Sequence, residues 1–328
     1  MDRRVNKRGF TESFFKGAHL KLRALKMITQ GRNRYLRKEN IPKYPRPEFH
    51  VSYLRHDTGR DGLIGIAEDS GFRAPYRDED EEDPEDPETM NLIWWSLSVG
   101  PDEVDAAEER LLENRFPYRT VQQAISQESF LWDFASSPAF KETSRFGSYR
   151  FTFPVQELLD AYSEQLCDSM EPVLRVYDTV LYKQEVMYSV LVHSEDYNYL
   201  FEDYPLLTDS PDEVCAYEDG TFIWRSEAMS QHHRFKLVEW PYYRQMGSVP
   251  VSRRWSQYYV WDNVAVAFHM AGGQSLNFDM YQLGECLTFC ERGYPTIPRP
   301  GCSADENFDS FEDAEEIVEY YWPDSPFN

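Results

Sequence analysis

Nowhere does this chain of 328 residues hold an unbroken apolar run approaching the about 18 residues that a membrane-crossing helix requires. Its first residues also lack the short apolar core of a secretory signal, so the expected compartment is cytoplasm or nucleus. Cysteine is scarce as well: Cys167, Cys215, Cys286, Cys290 and Cys302 are too few and too scattered for a disulfide framework, and reduced thiols are expected. Cys286, Cys290 and Cys302 are not followed by a histidine at zinc-finger spacing, and the nearest, His269, lies upstream, so no metal is expected. The sequence has no phosphate-binding Gly-rich loop ending in Lys-Ser/Thr, no kinase signature, no calcium-binding loop and no Gly-x-Ser-x-Gly nucleophile elbow.

What is abundant is aromatic side chain and negative charge. Phe, Trp and Tyr make up 16% of the residues and hydrophobic residues 41%, enough for a large buried core despite a net charge of −23. The charge is divided unevenly. Residues 1–47 carry +11, and the rest of the chain carries −34. The reading is a basic N-terminal arm, 1–47, on a single acidic body, 48–328.

Within the arm, helical spacing over about Thr11–Thr29 places Phe10, Phe14, Ala18, Leu25 and Ile28 on one face and Lys16, His19, Arg23 and Lys26 on the other. Asp2 and Glu12 argue against a mitochondrial presequence. A basic, proline-punctuated stretch follows, and Lys16, Arg23, Lys26, Arg32, Arg34, Arg37 and Lys38 are the candidate polyanion-binding residues. The same helix could instead dock on the body.

Beyond Pro47 the sequence reads as α+β, a strand-rich mixed or antiparallel body with a few flanking helices. EFHVSYL alternates like a half-buried strand, and LIGIAEDSGF reads as a short helix closed at Gly71. Residues 78–88, DEDEEDPEDPE, hold nine acids and two prolines, the composition of a mobile loop. NLIWWSLS reads as a strand and Gly100-Pro101 opens a helix. RFGSYRFTF is a strand, with a helix entered at Pro154. From Pro172 the pattern is mainly β, with a hairpin signal at Asp219-Gly220, and a final acidic helix over about 310–321 is placed to dock on the body.

His56-Asp57-Thr58 falls between a predicted strand and a predicted helix, where a His and a Thr two apart can bond the hydroxyls of one ligand. HVSYLRHDTGRDGLIGIAEDSGF resembles the opening motif of ADP-ribosyltransferase-like domains. LIWWSLSVGPDEVDAAEERLL is similar to their second segment, with Trp94 or Trp95 where a tyrosine ordinarily stacks on nicotinamide, and QEVMYSVLVH resembles the strand of their catalytic acid. The resemblance implies NAD as cofactor, His56 and Thr58 as ribose ligands, Glu185 as catalytic acid, and one cleft holding all of them. The chain as a whole, through FLWDFASSPAF, SRFGSYRFTFPVQELLDAY, KQEVMYSVLVHS and YYVWDNVAVAFH, also resembles a multi-copy group of uncharacterised vertebrate proteins best represented in fish. That likeness implies a shared fold and brings no activity with it.

Ser136-Ser137, His193, Glu195 and Asp196 supply the residue types of a nucleophilic triad, without its elbow. The leading expectation is a non-enzymatic interaction protein that binds a protein partner, needs no cofactor and attaches electrostatically through its N-terminus. The alternatives are an NAD-using transferase-like enzyme or its inactive relative, and attachment of residues 1–47 to nucleic acid or an anionic membrane.

Overall fold

A computed structural model describes residues 1–5, 11–30, 32–33, 36, 46–74, 82–83, 89–134, 137–183, 185–209, 214–230, 234–240, 243–249, 260–261, 263–293 and 305–327. The fold is α+β. Its main element among these residues is a nine-stranded sheet. From edge to edge the strands are Asp2–Val5, Thr11–Lys16, Val173–Tyr182, Glu185–His193, Asn263–His269, Leu92–Ser98, Tyr53–Thr58, Tyr149–Pro154 and Leu287–Phe289. All neighbours are antiparallel except Glu185–His193 and Asn263–His269, which run parallel.

Register decides which side chains share a face. Arg55 pairs with Ser96, Ser96 with Ala265 and Ala265 with Ser189, so these four point to one side. Their strand neighbours His56, Trp95, Val266 and Val190 point to the other, and this second side is the apolar face. Phe72 sits at its centre against Trp95, Phe151 and Phe153. Helices Arg60–Asp69, Val155–Leu166, Met280–Glu285 and Phe311–Tyr321 bury Leu63, Leu158, Leu283 and Val318 in the same core. The opposite, more polar face carries a smaller cluster that includes Leu92, Tyr177, Leu191, Phe201 and Tyr204.

The local signals behind these elements are those of the sequence. Gly100-Pro101 opens the helix Pro101–Arg115, and the Glu103 side chain accepts from the Gly100 N–H at 2.7 Å. Pro154 precedes the helix Val155–Leu166, and Ser310 caps Phe311–Tyr321 by accepting from the Asp313 N–H at 3.1 Å. Asp219 and Gly220 both have positive φ, 46° and 79°, in the hairpin joining Cys215–Glu218 to Thr221–Arg225, and Glu48–Val51 completes that smaller sheet.

Three expectations change. The helix anticipated over Thr11–Thr29 is a strand over Thr11–Lys16, a left-handed turn at Gly17 and a helix only over Leu22–Thr29. TESFFK sets its two phenylalanines side by side and commits to neither period, and pairing with Val173–Tyr182 makes it a strand. Ile28, placed on the buried face by helical spacing, is 45% exposed, whereas Leu25 is fully buried. The helix Arg60–Asp69 is closed by Ser70 in the left-handed region, not by Gly71, which opens the short strand Gly71–Arg73. Of the acidic loop, residues 78–81 and 84–88 lie outside the described residues; Glu82 and Asp83 do not.

Candidate functional site

The residues of the His-x-Thr motif are positioned by the Tyr53–Thr58 strand and packed from above by the helix Arg60–Asp69. The His56 ring lies on the apolar face, 5.4 Å from Phe72 and 5.5 Å from Trp95, and its Nδ1–H donates to the Trp94 carbonyl at 3.0 Å. Burial lowers its pKa, against the opposing effects of that carbonyl and Asp57, and the imidazole is neutral at pH 7. Thr58 Oγ1 fills the space that a side chain at Gly62 would take. Trp95 is core, 1% exposed, and Trp94 is on the opposite face beside Tyr177. Trp95 thus packs on His56 as part of the core, and Trp94 is on the other side of the sheet from it.

Glu185 shares its face with Ser189, four residues along a continuous strand, and therefore with Arg55, not with His56. Its carboxylate stands 3.9 Å from the Arg145 guanidinium. The sheet thus separates Glu185 from His56 and Thr58, and the single cleft implied by the transferase resemblance is not formed. The parity of a strand three places away in the sheet, which a local motif does not report, causes this separation.

On Glu185's side of the sheet the strongest electrostatic feature is structural. Arg150 grips Asp57 through two bonds, Nε to Oδ1 at 2.7 Å and Nη2 to Oδ2 at 2.9 Å, and donates again to the Glu142 carbonyl at 2.9 Å. Arg55 donates to the carbonyls of Lys141 and Pro138. Burial pushes the Asp57 carboxyl up, but bonds from Arg150 and the charges of Arg55 and Arg150 outweigh it and hold it below its usual value. The nearby Cys290 thiol is driven up to about 11, chiefly by burial, and is protonated and unreactive at neutral pH. This network ties residues 138–143 onto the sheet.

The serine-histidine arrangement also dissolves. Ser136 lies outside the described residues. His193 is committed at both nitrogens: Arg175 Nε donates to its Nε2 at 2.9 Å, and its Nδ1–H donates to the Ser194 carbonyl at 2.7 Å. Burial, with Arg175 alongside, lowers its pKa to about 4. Such a ring cannot take a proton from a serine.

A solvent-facing site is found instead at the edge of the sheet, built from the basic N-terminal segment. Strand alternation sorts its charges. Arg4 and Glu12 point to the polar face, where Arg4 reaches Asp178 at 3.3 Å; Arg3, Thr11 and Ser13 point to the other. The chain then turns at Gly17 and runs back along that second side, with the Leu20 N–H on Thr179 Oγ1 at 3.2 Å and the Tyr188 hydroxyl on the Leu20 carbonyl at 2.8 Å. Glu227 accepts from the Leu22 N–H at 2.6 Å, placing an anion at the start of the helix Leu22–Thr29. At the far end of this helix Arg32 and Asn33 meet the tight turn at Lys183, and Asn33 Nδ2 donates to the Lys183 carbonyl at 3.2 Å.

The result is a pocket of about 330 Å³ in which Arg3, Arg32 and Lys183 bring positive charge and Thr11, Ser13 and Asn33 bring neutral hydrogen-bonding groups. None of its lining residues is acidic. Arg3 and Arg32 are exposed. Of the anticipated polyanion ligands, Arg32 lines this pocket, Arg23 is exposed and Lys26 half-buried in the adjoining helix, while Lys16 turns to the other face and lies over the Tyr204 ring at 4.8 Å. Arg34, Arg37 and Lys38 lie outside the described residues. Arg3 and Lys183 were missed by sequence reasoning. The boundary between the runs PVLRVYDTVLY and QEVMYSVLVH marks a hairpin turn at Lys183, but only the pairing with Thr11–Lys16 brings that turn to Arg3.

Among the described residues no group of three or more His, Cys, Asp or Glu is arranged to hold a metal ion, and no helix is long and apolar enough to cross a membrane. The chain matches no known protein family, no curated protein and no solved structure.

Proposed function

We propose that this chain is a non-enzymatic binding protein that attaches, through the basic pocket at its N-terminal sheet edge, to phosphate groups on an anionic membrane surface. The observation that carries the reading is the lining of that pocket: three cationic side chains and, besides Tyr182, four neutral polar ones, without an acid, in a chain whose remainder is strongly negative. Guanidinium and ammonium groups beside hydroxyls and an amide suit phosphate oxygens. Membrane is favoured over nucleic acid because the helix bordering the pocket exposes Met27 (62%) and Ile28 (45%) next to the exposed Arg23 and Arg32, an apolar pair flanked by cations. The acidic body is repelled by the same surface, so the charge split fixes the orientation of approach.

Each cation near an anionic surface contributes about 1 kcal/mol, so replacing Arg3, Arg32 and Lys183 together by Gln weakens attachment about 100-fold. Co-sedimentation with neutral phosphatidylcholine vesicles and with vesicles containing phosphatidylserine or a phosphoinositide tests this. Binding to the anionic vesicles alone, lost in the triple variant and at raised salt, is the expected result. Equal binding to neutral vesicles, or an unaffected triple variant, overturns it, and retention by a single-stranded RNA with none by vesicles reassigns the pocket to nucleic acid.

A further inference from the structure

The opposite edge of the same sheet carries the chemical inverse of the basic pocket. There the helix Met280–Glu285 and the residues leaving Phe311–Tyr321 enclose about 180 Å³. Tyr281, Tyr321 and Trp322 give its lining three aromatic rings, and Glu285 and Asp324 give it two carboxylates; no Lys, Arg or His lines it.

The base of this pocket is rigid. Trp322 ends its helix with its N–H on the Val318 carbonyl at 2.7 Å, packs on Phe151 and lies directly over Gly284, where an added Cβ would come within 3.0 Å of Trp322 Cδ1. Ser325 folds the following residues back, its hydroxyl on the Gly284 carbonyl at 2.8 Å and its N–H on the Trp322 carbonyl at 3.0 Å. Tyr281 and Glu285, four apart, stand on one face of the short helix, and both are exposed. Their side chains are therefore free of any part in holding the core together.

Aromatic faces attract cations through the ring quadrupole, and adjacent carboxylates add a second attraction of the same sign. The space is smaller than the roughly 300 Å³ at which pockets for drug-sized ligands begin, and matches a single side chain. An alkylated ammonium, bulky and poorly hydrated, uses aromatic walls better than a compact, strongly hydrated one. The neighbouring helix presents exposed Glu312, Asp313, Glu315, Glu316 and Glu319, which complement a positively charged peptide. We propose that this pocket binds a methylated lysine side chain within a basic peptide.

The probe is a fluorescein-labelled Gly/Ser peptide with two arginines flanking a central lysine, prepared in trimethylated, unmodified and acetylated forms and titrated by anisotropy against the full chain without lipid. The trimethylated form is expected to bind at least tenfold more tightly than the acetylated one, and Tyr281→Ala and Glu285→Gln each to weaken it about tenfold, the size of one good cation–π or charge contact. Tyr118→Ala, which removes a 96%-exposed ring outside the pocket, leaves binding unchanged. Thermal melts matching wild type show that the pocket variants are folded. Equal affinity for the acetylated peptide, indifference to Tyr281→Ala, or no saturation below millimolar concentration overturns the proposal. Preference for phosphocholine over the peptide also overturns it, by assigning the pocket to a lipid headgroup.

Discussion

Glu82, from the most acidic stretch of the sequence, is buried against His269: its Oε2 accepts from His269 Nε2 at 2.9 Å, and each side chain is 1% exposed. The other carboxylate oxygen accepts from the Asn91 backbone N–H at 3.2 Å and from its side-chain amide. One of nine acids in that stretch is therefore a structural anchor, joining it to the strand Asn263–His269. Removing the buried acceptor leaves the His269 and Asn91 donors unpaired, at a cost of about 1–3 kcal/mol. Glu82→Ala should lower the urea midpoint accordingly, whereas Asp83→Ala, exposed one residue later, should leave it within about 0.5 kcal/mol of wild type. Equal effects of the two substitutions would remove the anchoring role.

Asp57 and its two arginines make a second stability prediction. Asp57→Ala leaves Arg150 and Arg55 buried with no carboxylate between them and should destabilise by about 3–5 kcal/mol, measured by urea unfolding. Because the folded-state pKa of Asp57 is depressed, its contribution is fully present above its usual value near 3.8 and disappears as pH falls through the lower folded value. Asp57→Asn should therefore flatten the acid limb of the stability profile. An unchanged acid limb would show that Asp57 is not held ionised by these arginines.

Histidine burial gives the chain a pH dependence in a different window. His19 and His193 are both lowered to about 4 from 6.5, in each case chiefly by burial, so the folded protein keeps them neutral while the unfolded chain protonates them. Their contribution is complete above about pH 6.5 and is lost as pH falls from 6.5 towards 4, by up to about 3 kcal/mol each. Urea unfolding at pH 7.5 and 5 should show this loss, reduced in His19→Gln. A flat profile across that interval contradicts the burial of both rings.

A fourth prediction concerns chemistry. With His56 on one face of the sheet and Glu185 on the other, incubation with labelled NAD should give no transfer of ADP-ribose to the chain or to proteins of a cell extract. Glu185→Gln should behave as wild type in that assay while weakening the contact with Arg145. Transfer that disappears in Glu185→Gln would show that the two faces communicate after all.

Local patterns in the sequence anticipated much of the secondary structure. The strands around Trp95, Tyr149, Val180 and Val190 are legible because β-branched and aromatic residues cluster between turn residues, whereas the single strand expected over EFHVSYL is two, Glu48–Val51 and Tyr53–Thr58, and the second runs on through His56 into the expected turn. The helices after Pro101, Pro154 and Ser310 are legible because their starts carry recognisable caps. TESFFK was misread because its six residues, with two adjacent phenylalanines, show no strand alternation, and only its partner makes it a strand. The basic residues near the N-terminus were legible as a cluster, but not the division that sends Arg3 to the pocket and Arg4 to Asp178.

The sequence by itself determined the α+β composition, the punctuation between elements and the charge difference between the two ends, since each depends on residues adjacent along the chain. The tertiary structure alone decided that His56 and Glu185 face apart, that Arg3 meets Arg32 and Lys183, and that Tyr281 shares a pocket with Trp322. The physical reason is that side chains alternate across a strand. A site is therefore set by the register between strands distant in sequence, and register is a property of pairing that no local window contains.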